Sequence, residues 1–193
     1  MPEDIYDIPS DLPIPTDDGG VRHLCGRLMP PVPLPATMGG TRTPQQGDAG
    51  RTLIVFFPYA GRPDQPLLPG WNQIPGARGC TPELVGFQQL AEAFRAIGVG
   101  LAGLSTQTPA ELLEVAQRLR LSFPLFSDAA LTLTRSLHLP TFQVAGRTMI
   151  KRLSVVVRQD RIEHCFYPIF PPGEHAAQAL RWLIGYRGGA PVN

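Results

Sequence analysis

Three cysteines, Cys25, Cys80 and Cys165, are the softest nucleophiles in this chain, and only Cys80 stands where a helix is predicted to begin. It ends a run rich in proline and glycine and precedes Thr81-Pro82-Glu83. Beyond these, Leu84, Phe87, Leu90, Ala91, Phe94 and Ile97 repeat at the spacing of one helix face over residues 81–97. Unpaired N–H groups and the dipole at a helix start favour an anion, so the chemistry expected of Cys80 is that of a thiolate. Its pKa would be drawn from about 8.5 into roughly 3.5–7.5. Arg78, just upstream, would add to this by folding its side chain back. The competing reading is a packed structural cysteine, on the same helical face as Leu84.

Three cysteines cannot all pair within one chain, and none belongs to a Cys-x-x-Cys unit. A disulfide scaffold is excluded, and at least one thiol is free. His23-Leu24-Cys25 and His164-Cys165 contain metal-ligand types, but metal sites need a tighter constellation, so no metal is expected. The plain readings are a packed strand residue for Cys165 and an exposed thiol for Cys25.

The elements that must position these residues follow from pattern. Residues 52–57 are a continuous apolar run closed by Pro58, as in a strand covered on both faces. Residues 59–79 read as loop, and a loop of that length inside a domain is usually functional or a sign of misassigned elements. Residues 99–104 form a second buried strand. Thr108-Pro109-Ala110-Glu111 is a capping box opening a helix to about Arg120. A short strand over 123–127 follows, and Asp128 caps a helix ending near Leu139-Pro140. Residues 153–157 and 162–166 form an antiparallel hairpin across the turn 158–161, and 174–186 is a closing amphipathic helix. This order of strands and helices is that of an α/β, thioredoxin-like fold with a central mixed sheet sandwiched by helices.

The 193 residues suit one domain, and 43% hydrophobic with 17% charged residues excludes both a disordered and a membrane-like chain. Of the 20 glycines and 22 prolines, 16 fall in the first fifty residues, which leaves a Pro-rich N-terminal extension without helices. Residues 1–20 read as an extended acidic arm. They carry Glu3, Asp4, Asp7, Asp11, Asp17 and Asp18 and no Lys or Arg, so the body is mildly basic despite a net charge of +1. Residues 21–187 are expected to form the single domain, with its core from about 51, and 188–193 a tail. The arginines are scattered rather than set in a stripe with aromatics, which argues against nucleic acid. No run approaches a membrane helix, and the first twenty residues lack the pattern of a signal peptide, so the expected location is cytoplasmic.

The segments Phe56-Phe57-Pro58, Gly79-Cys80-Thr81-Pro82-Glu83 with Gly86-Phe87, and Gly103-Leu104-Ser105 together resemble the peroxiredoxins, above all the Q-type class also called bacterioferritin comigratory protein. Phe123-Pro124-Leu125-Phe126-Ser127-Asp128, Arg152-Leu153-Ser154-Val155-Val156-Val157 and Arg161-Ile162-Glu163-His164 continue the likeness. Pro140-Thr141-Phe142 is similar to the cis-proline loop of thioredoxins. The resemblance implies a thiol peroxidase acting on hydrogen peroxide or organic hydroperoxides without metal or bound cofactor. Cys80 would attack, Arg152 would hold thiolate and peroxide, and Pro58 would shield the site. The resulting sulfenic acid would be recycled by a thiol such as thioredoxin, glutaredoxin or a small thiol, in a monomer or homodimer. Two positions depart from the pattern. Ala77 stands where the family usually carries Thr or Ser, so a hydroxyl would come from elsewhere, with Thr81 a candidate. Val85 stands where Q-type members often carry a resolving cysteine, which leaves Cys165, Cys25 or an external thiol for that step. The same departures motivate the alternative, a redoxin-fold interaction or regulatory protein without efficient turnover.

Overall fold

A computed structural model describes residues 5, 6, 8–46 and 49–186; the predicted tail lies outside the described residues. After a two-residue ladder between β1 (Leu34–Pro35) and β2 (Thr41–Arg42), the core begins with β3 (Arg51–Phe56). There follow α1 (Cys80–Gln89), α2 (Ala91–Ala96), β4 (Val99–Ser105), α3 (Pro109–Arg118), β5 (Leu125–Ser127) and α4 (Thr132–Leu137). The chain ends in β6 (Thr141–Val144), β7 (Arg147–Ile150), β8 (Leu153–Arg158), β9 (Arg161–Phe166) and α5 (His175–Gly185). The main sheet runs β5-β4-β3-β8-β9, parallel from β3 to β5 and antiparallel from β3 through β8 to β9.

The apolar run of β3 is buried on both faces because successive side chains point to opposite sides of the sheet. Ile54 and Phe56 pack with Leu104, Val155, α4 and the lead-in residues Leu24, Met29 and Leu34. Leu53, Val55 and Phe57 pack with Cys80, Leu84 and Phe87 of α1, Leu112 of α3 and Ala179 of α5. The strand contact between β4 and β5 depends on Gly103, where a Cβ would fall 2.4 Å from Leu125 Cδ2.

The capping box at Thr108 and Glu111 forms as expected. Asp128 holds α4 by accepting from the N–H groups of Leu133 (3.2 Å) and Thr134 (2.7 Å) and from the Thr134 hydroxyl (2.6 Å).

Two expectations need correction, and one hairpin is unexpected. The predicted helix over 81–97 divides at Leu90 into α1 and α2. Both pieces keep the same apolar face on the sheet, with the Phe87 and Phe94 rings 5.8 Å apart, and periodicity reports a face rather than its continuity. The cis peptides precede Pro168 and Pro171, not Pro140. Residues 141–150, to which the sequence pattern assigns no element, form the β6–β7 hairpin. Its turn uses Ala145 and Gly146 at φ +49° and +72°, the positive angles of a tight hairpin. Val144, Phe142 and Met149 of this hairpin pack on Trp71 and Ala77, which gives the 59–79 loop its own small core.

Candidate active site

The 59–79 loop delivers Gly79 in the left-handed region (φ +100°) directly before Cys80, the first residue of α1. That conformation favours glycine, and a side chain there would strike Pro172 Cγ at 2.3 Å. Cys80 is thus set at the helix start with its sulfur turned into the protein, 2% exposed.

Arg152, at the mouth of β8, reaches the same point from the sheet. Its Nη2 donates to Cys80 Sγ at 3.0 Å and to the carbonyls of Ala77 and Arg78, each at 3.1 Å, while Nε donates to the Gly76 carbonyl at 3.2 Å. Its Nη1 pairs with the buried carboxylate of Glu83, one turn along α1. A planar guanidinium is suited to this, because its fixed fork can serve a sulfur, a carboxylate and three carbonyls at once. The Tyr59 backbone also helps to hold the thiol pKa down. Pro58 is buried immediately before Tyr59; its carbonyl accepts from Ser105 Oγ at 3.0 Å, and Gln107 Oε1 accepts from the Ala60 N–H at 2.8 Å. The end of β4 therefore fixes the strand-to-loop turn at residues 58–60.

The electrostatics differ from the expectation of a low thiol pKa. Burial pushes the Cys80 thiol up and Glu83 adds to the rise, while Arg152 pulls it down. A helix start contributes about 0.3–1 kcal/mol, whereas full burial can move a pKa by several units, so desolvation outweighs the dipole. Burial likewise raises Glu83 from 4.5 to about 7 against the pull of Arg152. One cation thus faces two buried acids, and the arrangement favours one negative charge beside Arg152 rather than two.

Of the residues singled out in the sequence, Cys80, Arg152 and Pro58 converge here. Thr81 is buried next to Cys80. Arg78 does not follow its expected course, since its Nη1 donates to Asn72 at 3.1 Å and it joins the Arg152 hub through its carbonyl. Cys25 and Cys165 meet each other, Sγ to Sγ at 3.3 Å, and Cys165 packs on the face of the sheet opposite to Cys80. His23 meets the Leu137 carbonyl and His164 stacks on Trp182, and among the described residues no three His, Cys, Asp or Glu side chains cluster as metal ligands. Sequence reasoning missed Glu83 as a partner of Arg152, because a carboxylate in a first helical turn reads as a favourable dipole contact.

A cavity of about 300 Å³ opens onto Arg152 and Gly76 and is walled by Phe142, Tyr167 and residues of the N-terminal segment, Pro15, Thr16 and Asp18. Asp18 is held by Lys151 Nζ at 2.6 Å and by the Tyr167 hydroxyl at 2.7 Å, which lower its pKa to about 2. Part of the acidic arm therefore lies beside the site, within the same chain.

Residues 72–164 match the AhpC/TSA family. Peroxiredoxin Bcp of Escherichia coli (strain K12) is 26% identical over 162 residues, which cover 82% of this chain and 94% of that protein. Among solved structures, peroxidoxin BcpB from Mycobacterium tuberculosis superposes with a TM-score of 0.67 at 25% identity, over 86% of this chain and 99% of that one. Xanthomonas campestris peroxiredoxin Q, at 20% identity, shares the fold with a TM-score of 0.62 over 80% of this chain and 90% of its own. With its thioredoxin-like sheet and a cysteine and an arginine brought together at the start of α1, the chain is similar over residues 72–164 to the AhpC/TSA family and in fold to the peroxiredoxins.

Proposed function

We propose that this chain is a thiol peroxidase in which Cys80 reduces hydrogen peroxide or an organic hydroperoxide. The observation that carries the reading is the 3.0 Å hydrogen bond from Arg152 to the Cys80 sulfur inside a buried hub. The Cys80 thiolate attacks the nearer oxygen of the O–O bond, a sulfur–oxygen bond forms as the O–O bond breaks, and the departing oxygen takes a proton to leave as water or alcohol. Donors already aimed at the sulfur stabilise the charge that passes to oxygen, and they need no rearrangement to do so. Pro58 closes the site and Arg152 spans sulfur and cavity. Two thiols of an external reductant then return the sulfenic acid to a thiol, releasing water and a disulfide. Recycling from outside suits a cysteine whose two counterparts are turned toward each other. Three free thiols suit a reducing compartment such as the cytoplasm, and among the described residues no helix is long and apolar enough to cross a membrane.

The alternative, a redoxin-fold regulatory protein, draws support from Ala77, which offers a carbonyl to Arg152 and no hydroxyl. Stopped-flow oxidation decides between them. Cys80 reacting with peroxide orders of magnitude faster than a free thiol of equal pKa, and losing this in Cys80→Ser, supports the peroxidase; a rate equal to the free thiol rejects it.

A further inference from the structure

Cys25 and Cys165 are 140 residues apart in sequence, yet their sulfurs are in contact at 3.3 Å. The contact is built by the backbone. Residues 26–29 lie along the open edge of β9: the Gly26 N–H donates to the Ile162 carbonyl at 2.8 Å, the Ile162 N–H to the Arg27 carbonyl at 2.9 Å, and the Met29 N–H to the Asp160 carbonyl at 2.7 Å. The Arg27 guanidinium donates to the Ser136 carbonyl at 2.8 Å, and the His23 ring meets the Leu137 carbonyl at 2.8 Å. Cys25 is anchored on both sides in this way. Cys165, opposite Val155 in the β8–β9 register, faces the packed side that holds Leu24 and Val155. Cys25 is exposed and Cys165 half-buried.

We propose that Cys25 and Cys165 form a second redox site, a dithiol that exchanges with small-molecule disulfides of the glutathione type to close an intrachain disulfide, independently of Cys80. The exposed Cys25 thiolate attacks one sulfur of the small disulfide; the Cys25–sulfur bond forms, the small disulfide bond breaks, and the first small thiolate leaves and takes up a proton. Cys165 then gives its proton to solvent and attacks the Cys25 sulfur, expelling the second small thiolate. Two protein thiols lose two electrons and two protons, and one small disulfide gains them. Closure needs the sulfurs to move from 3.3 Å to about 2.05 Å, within the compass of side-chain rotation. Burial and the neighbouring sulfur raise the Cys165 pKa, which suits it to the second, intramolecular step, where contact compensates for a scarce thiolate. The bond would tie the segment that carries Asp18 and walls the cavity to the edge of the main sheet.

The test uses Cys80→Ser protein and the unsubstituted chain, each reduced, freed of reductant and treated with oxidised glutathione without oxygen. In both, the expected tryptic map joins the peptide of residues 23–27 to that of residues 162–181, and dithiothreitol reverses the link. Cys80→Ser loses the mass of two hydrogens. Cys165→Ser should stop at a glutathione adduct on Cys25, and Cys25→Ser should show no link. Unsubstituted protein that accumulates the Cys25 adduct, or keeps both thiols titratable while folded, overturns the proposal. Peroxide turnover by Cys80 is read separately, so failure of one assignment leaves the other standing.

Discussion

Arg152 Nη2 lies 3.0 Å from Cys80 Sγ although 72 residues separate the two in sequence. Lysine would keep the charge but present a single ammonium that cannot serve the sulfur, Glu83 and three carbonyls together. Arg152→Lys is expected to lower kcat/KM for peroxide by about 10²–10³ with the far-UV spectrum preserved, the scale of removing one transition-state donor. Arg152→Ala should in addition destabilise the fold by about 3–5 kcal/mol, because it strands the buried Glu83 carboxylate. An unchanged rate in the lysine variant removes Arg152 from the mechanism.

Glu83 competes with the Cys80 thiolate for the same cation. Glu83→Gln keeps the side chain's shape and removes the charge that raises the thiol pKa, so the midpoint of Cys80 alkylation against pH should move down. An upward movement would mean that the carboxylate serves Cys80 mainly by holding Arg152, and the competition would be refuted.

Gly79 and Gly98 both sit at positive φ, +100° and +71°, but in unlike surroundings. A Cβ at Gly98 meets nothing within 4 Å, whereas one at Gly79 meets Pro172 Cγ at 2.3 Å. Gly98→Ala should cost about 1–2 kcal/mol from backbone conformation. Gly79→Ala should cost a further 1–3 kcal/mol or so from overpacking and also slow the Cys80 reaction, as read by urea unfolding and stopped flow. Equal costs at the two positions would show that Pro172 yields freely.

His175 is fully buried, its Nε2 2.9 Å from Ser154 Oγ; burial and then nearby Arg152 lower its pKa from 6.5 to about 3. Above pH 6.5 folded and unfolded chains both hold it neutral. As pH falls from 6.5 toward 3, only the unfolded chain takes up the proton, so stability is lost across that window, by about 5 kcal/mol at most. His175→Gln should flatten the urea midpoint against pH over that range. A variant curve parallel to the parent's would assign the acid sensitivity to other groups.

Much of the architecture is legible because its signals are local. The capping box at Thr108, the unbroken apolar run of β3 and the turn between β8 and β9 each depend on residues a few positions apart. The division at Leu90 and the β6–β7 hairpin were not legible in the same way. The apolar spacing around Leu90 is satisfied by one helix or two, and Ala145-Gly146 is a weaker turn signal than Asn-Gly or Asp-Gly.

The sequence by itself determined that a cysteine would stand at the start of α1 and an arginine at the head of β8, since caps, periodicity and strand pattern act over a few residues. Only the tertiary structure decided what surrounds them. It put Glu83 and Cys80 on one guanidinium, turned Cys25 toward Cys165, and laid residues 15–18 beside the cavity. It also reversed the expected direction of the Cys80 pKa. Desolvation and long-range pairing depend on distances between segments far apart in the chain, and those distances exist only once the sheet has closed over both faces.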